Sequence, residues 1–85
     1  MSLLFTNIID TLTARQVGFL KALVNGEKNL SAKDVLKKYD LGTSANIKNL
    51  KNTLLEKDII DILPHHKIVL QDPVFELWLK NEVFR

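Results

Sequence analysis

The hydrophobic period of this chain changes once. Ahead of residue 58, apolar side chains recur at three- and four-residue spacing. Beyond it, Ile60, Ile62, Ile68 and Leu70 stand at every second position around Leu63-Pro64-His65-His66-Lys67. The first spacing is that of helices packed by one face, the second that of half-buried strands. Pro64 has no amide to give a strand ladder and belongs in the turn between them. The chain must therefore join a helical majority to one β-hairpin, and 85 residues give room for a single domain with one core.

Composition narrows the function classes. An apolar fraction of 46% and a charged fraction of 26% are those of ordinary globular material. The absence of cysteine removes disulfides, thiolate zinc sites and cysteine nucleophiles together. No apolar run approaches the ~18 residues of a membrane span, and no secretory leader is evident, so the cytoplasm is the expected location and no membrane the expected partner. A net charge of +2 is too small to announce a nucleic-acid binder, but its distribution is uneven. Residues 1–27 are neutral. Between 28 and 51, Lys28, Lys33, Lys37, Lys38, Lys48 and Lys51 face only Asp34 and Asp40, whereas 52–85 carry two more acids than bases.

Punctuation then sets the order of elements. The first 11 residues fit a short amphipathic helix, although 5–9 would also suit an extended run. Thr13 with Gln16 forms a capping box, and Leu12 with Val17 a hydrophobic staple. Val17, Leu20, Leu23 and Val24 continue this helix until Gly26 stops it. Lys28-Asn29-Leu30 is a link with room for a residue or two of strand. Ser31 then caps a second helix, with Asp34 three residues on and Leu30 and Val35 as its staple. Ala32, Val35, Leu36 and Tyr39 form its inner face, and Gly42 supplies the positive φ that breaks it. Thr43 or Ser44 caps a third helix reaching about Lys57. Two helices joined by a short glycine-containing turn make a helix-turn-helix. After the hairpin, Asp72-Pro73 opens a last helix through Val74, Leu77 and Trp78.

This order resembles a winged helix-turn-helix over 12–71, with a helical extension at 1–11 and an extra helix over 72–85. The fold class expected is mainly α with a two- or three-stranded sheet. A closer resemblance lies in Leu12-Thr13-Ala14-Arg15-Gln16, Leu41-Gly42-Thr43-Ser44-Ala45-Asn46-Ile47 and Asp72-Pro73-Val74-Phe75-Glu76-Leu77-Trp78-Leu79. These segments are similar to the C-terminal winged-helix domain of prokaryotic P-loop (AAA-type) ATPases. The resemblance implies a parent that hydrolyses nucleotide and a tail that does not. No glycine here precedes a Lys-Ser or Lys-Thr pair, so no phosphate loop lies in this chain.

Candidate sites follow from the faces. At about 100° per residue, Ile47, Leu50 and Leu54 of the third helix point inward. Ala45, Lys48, Asn49 and Asn52 point outward, with Lys51 on the flank. On a DNA-bound winged helix this outer face enters the major groove, where asparagine amides address adenine and lysines meet phosphate or guanine. Thr43 and Ser44, with the helix N-terminal amides, would hold a phosphate. The same pattern also describes a helix with an ordinary solvated face, and it lacks arginine, the commonest base reader. His65, His66 and Lys67 form a wing tip that either touches DNA backbone or is a polar turn.

Zinc is not expected, since neighbouring histidines on an extended chain diverge and no third ligand stands near. The acids Glu56, Asp58, Asp61, Asp72 and Glu76 lie at helix ends, in a cap or on a wet face, so no catalytic residue, metal or cofactor is expected. Phe75, Trp78, Leu79 and Phe84 belong to an apolar tail that either completes the core or forms an interface. The partner there would be the parent's ATPase core or a second copy.

Overall fold

A computed structural model describes residues 2–84. Its elements are α1 (Ser2–Asp10), α2 (Ala14–Val24), α3 (Lys33–Lys38), α4 (Ser44–Glu56), β1 (Ile60–Leu63), β2 (Lys67–Leu70) and α5 (Pro73–Trp78). A π-turn at Leu79–Val83 continues α5. The undecided N-terminal segment is therefore helical, and the chain is mainly α with a small antiparallel sheet.

The start of α2 is fixed locally. Gln16 N donates to Thr13 Oγ1 at 3.2 Å, and Thr13 N donates to Gln16 Oε1 at 2.9 Å. The amides of the N-cap and of the third helical residue are thus satisfied within the segment, as the capping box requires. Its end is equally local. Gly26, at φ 83°, lets its own amide reach Leu23 O and the Glu27 amide reach Ala22 O, which closes a Schellman motif.

The same device ends α3 and α4, but with aspartate where glycine is usual. Asp40 (φ 54°) and Asp58 (φ 58°) turn left-handed, so that Leu41 N reaches Leu36 O and Ile59 N reaches Leu54 O. Gly42 also takes a positive φ, of 88°. However, α3 has already stopped at Asp40, and the link to α4 is the five residues 39–43.

Two caps differ from expectation. Ser31 does not open α3: its amide donates to Asn29 Oδ1 at 3.2 Å, and Ala32 N donates to Asn29 O. These bonds hold Ser31 and Ala32 in a turn ahead of the helix, and α3 begins at Lys33 behind Ala32. Segment 28–30 consequently forms no strand, and the sheet has two strands among the described residues. Thr43 is the N-cap of α4 through its backbone, its O accepting from Asn46 N at 3.0 Å, while its hydroxyl caps nothing.

The expected hairpin forms, with Ile60 opposite Leu70 and Ile62 opposite Ile68. Pro64–His66 forms the 3₁₀ turn between the strands. His65 (φ 66°) and His66 (φ 61°) are both left-handed, so the wing tip is a tight reversal and the extended geometry assumed for the histidines does not hold.

The core gathers around α2, which packs against both α4 and β2. Being covered on two sides, it buries Phe19, Ala22 and Gln16 beside the expected Leu20, while Val17, Leu23 and Val24 are half-buried. Leu41, Leu54, Ile60 and Leu79 are fully enclosed with Phe19 and Leu20, each contributing about 1.5–3 kcal/mol of apolar burial.

Asp72 Oδ1 accepts from Val74 N at 2.9 Å and Pro73 starts α5, as expected. The face α5 buries is a different matter. Phe75 and Leu79 are 3% and 0% exposed, whereas Val74 and Leu77 are 46% and 58% exposed. Phe75 meets Phe5 of α1 with ring centroids 5.2 Å apart, and Trp78 meets Phe5 at 5.5 Å. These rings fix the rotation of α5, whose buried face is that of Phe75 and Leu79.

Candidate nucleic-acid interface

The third helix of the core, α4, presents the two faces its sequence calls for. Ile47, Leu50 and Leu54 are buried, and Ala45, Lys48, Asn49 and Asn52 are exposed, with Lys51 half-buried at the flank. No acidic residue precedes Glu56 on this helix, so the outward face is positive along its length. Thr43 and Ser44 are exposed at its N-terminus.

Asn46 is the polar residue of α4 with a structural task. Its Nδ2 donates to Leu41 O at 3.0 Å and ties the first turn of the helix to the link before it. That leaves Asn49 and Asn52 as the amides facing solvent.

The structure also brings in a side chain that the sequence reading passed over. Arg15, in the first turn of α2, lays its guanidinium over Gly42, where a β-carbon would lie 2.9 Å from Nη1. The arginine missing from α4 is thus supplied beside its N-terminus by another helix. The sequence signal was Gly42 itself, whose lack of a side chain admits that approach.

Among the described residues, neither Arg15 nor any lysine of α4 or the wing has an ion-pair partner; the two pairs are Lys38–Glu27 at 3.4 Å and Lys80–Glu76 at 3.7 Å. Lys38 is held within a small cluster. Tyr39 Oη donates to Glu27 Oε2 at 2.8 Å, and Asn25 Nδ2 donates to Tyr39 Oη at 3.1 Å. Tyr39, and then the Glu27 carboxylate, raise the Lys38 pKa above its ordinary 10.5.

His65, His66 and Lys67 are exposed at the wing tip. No three His, Asp or Glu side chains cluster with metal-binding geometry among the described residues. No helix among them is long and apolar enough to cross a membrane.

Of the residues expected at an interface, Phe75 and Leu79 lie in the core and Trp78 and Phe84 pack half-buried against it. Phe75 and Leu79 are thus enclosed, while Trp78 and Phe84 keep part of their surface open. The exposed apolar residues of the C-terminal helix are Val74, Leu77 and Val83.

Residues 3–81 match the sequence model of a family described as a probable winged helix domain. No curated protein and no solved structure matches the chain. Winged helix domains typically bind nucleic acid and are generally not catalysts. With a match over nearly its whole length and helix-turn-helix followed by hairpin in its fold, the chain belongs to the probable winged helix domain family.

Proposed function

We propose that this domain binds double-stranded DNA, with α4 in the major groove and the wing tip against the backbone. The observation that carries this reading is the uncovered, acid-free face of Lys48, Asn49 and Asn52, flanked by Lys51. Asn49 and Asn52 would address base edges, while Lys48 and Lys51 meet phosphates or guanine. Thr43, Ser44 and Arg15 would hold a phosphate at one end, and His65, His66 and Lys67 would touch backbone at the wing. The domain acts by binding alone, without a catalytic residue or cofactor of its own.

Fluorescence anisotropy with a random duplex at low salt tests this. Binding at about 10 μM or tighter that weakens steeply with salt is expected, because bound lysines displace counterions. Absence of binding, or binding indifferent to Lys48→Glu combined with Lys51→Glu, refutes it.

The parent is proposed to be a P-loop ATPase, on the Leu41-Gly42-Thr43-Ser44-Ala45-Asn46 and Asp72-Pro73-Val74-Phe75 segments. A phosphate loop encoded upstream of Met1 in the same reading frame is the expected finding, and an upstream region without one overturns the assignment.

A second reading rests on the exposed Val74 and Leu77 of α5. In it the domain docks on its parent's ATPase core or on a second copy through this face. Sedimentation separates the two partners: self-association abolished by Leu77→Glu identifies the second copy.

A further inference from the structure

Independently of DNA binding, we propose that the outer edge of β2 accepts an extended acidic peptide segment as a third strand. The argument begins with the phase of the hairpin's hydrogen bonds. Gln71 N donates to Ile59 O at 3.0 Å, which makes 59 and 71 a hydrogen-bonded pair one step beyond Ile60 and Leu70. Bonded and non-bonded pairs alternate in an antiparallel ladder. Asp61 with Val69 and Leu63 with Lys67 therefore exchange bonds across the hairpin. The amides and carbonyls of Ile68 and Leu70 point the other way, off the sheet. Among the described residues, no backbone or side-chain partner meets them there.

What they face is a groove of about 660 Å³. Lys67, Ile68, Val69 and Leu70 all line it, and no residue of β1 does. Side chains alternate between the faces of a strand, so a groove touching four consecutive residues runs along the strand's edge. The opposite wall comes from the loop after α2, including Lys28 and Leu30, which adopts no strand of its own. An unpaired strand edge beside open space is the template for strand addition, where main-chain bonds give affinity and side-chain pockets give specificity.

Charge selects the occupant. Leu23 and Leu30 offer apolar contact, while Lys28, Lys67, His65 and His66 ring the groove. The two acids present are engaged elsewhere, Glu27 by Tyr39 and Lys38 and Glu76 by Lys80. The remaining field is positive, and an extended segment alternating acidic and apolar residues complements it.

The test uses the 85-residue chain with a capped heptapeptide of alternating glutamate and valine. Its control is the same peptide N-methylated at alternate residues, which cannot complete a ladder. Amide hydrogen exchange read by NMR is expected to slow about tenfold or more at Ile68 and Leu70 with the first peptide, and not with the second. Lys28→Glu, at an exposed position with no part in the proposed DNA contact, weakens binding without moving the thermal midpoint. Equal binding of the methylated copy overturns the proposal, as does no binding at all. Slow exchange at both amides in the free protein also overturns it, since segment 28–30 then fills the edge itself.

Discussion

Gly18 stands against the backbone of Tyr39: a β-carbon added to Gly18 would lie 2.6 Å from the Tyr39 carbonyl oxygen and 3.3 Å from Leu41 Cδ2. The close approach sets the crossing of α2 with the end of α3. Helix propensity alone favours Gly18→Ala by about 1 kcal/mol. Displacing a carbonyl inside a packed core costs about 1–3 kcal/mol. Gly18→Ala is therefore expected to lower the thermal midpoint, and a rise would show that the two segments separate freely.

Asp58 ends α4 in a left-handed conformation that costs a non-glycine residue about 1–2 kcal/mol, and its charge sits at the negative end of the helix dipole. Asp58→Gly is expected to stabilise the domain by about 0.5–1 kcal/mol, the larger entropy of glycine in the unfolded chain offsetting part of the gain. A denaturant midpoint that does not rise would count against the reading of this cap.

Arg15 is exposed and stands beside the first turn of α4, so Arg15→Ala leaves stability nearly unchanged. If it holds a phosphate, the slope of log binding constant against log salt falls by about 0.9. Titrations of wild type and variant at several salt concentrations measure that slope. An unchanged slope removes Arg15 from the interface and leaves the α4 face to be judged by its own variants.

Tyr39→Phe removes a donor to Glu27 and an acceptor for Asn25 at once, at an expected cost of about 1–2 kcal/mol for a partly buried site. Lys38 titrates above its unfolded value of 10.5. Its contribution is thus fully present below that pH and is lost only as pH climbs through the raised folded value. Melting curves between neutral pH and pH 9 are expected to show no loss assignable to Lys38.

Phe5→Ala is expected to cost about 3–5 kcal/mol, the range for a buried phenylalanine, and to detach α1. Trp78, whose ring lies 5.5 Å from Phe5, then becomes accessible to a soluble quencher. Loss of stability without increased quenching would place the damage elsewhere than at the α1–α5 contact.

The parts of the fold legible in the sequence were those decided by neighbours within four or five residues. The Thr13–Gln16 box, the Gly26 stop, the hairpin and the Asp72-Pro73 start each satisfy their own backbone groups, whatever the rest of the chain does. The outward face of α4 was legible because its apolar stripe is narrow. Segments with two acceptable local solutions were not. Asn29 can turn the chain where Ser31 could have capped it, and aspartate at 40 and 58 turns left-handed without announcing it.

The burial of Phe75 and Leu79 rather than Val74 and Leu77 was hidden for another reason. A helix apolar on several sides has no preferred inner face until a distant partner chooses one, and that partner is Phe5. Arg15 over Gly42 is likewise a meeting of residues far apart in the chain, outside any periodicity.

The cluster of Phe5, Phe75 and Trp78 joins the first helix to the last. Pulling α1 away from α5 is therefore expected to load these three rings before the hairpin or α4. The ring cluster would act as a buckle, with the outward surface of α4 the last part to feel the strain.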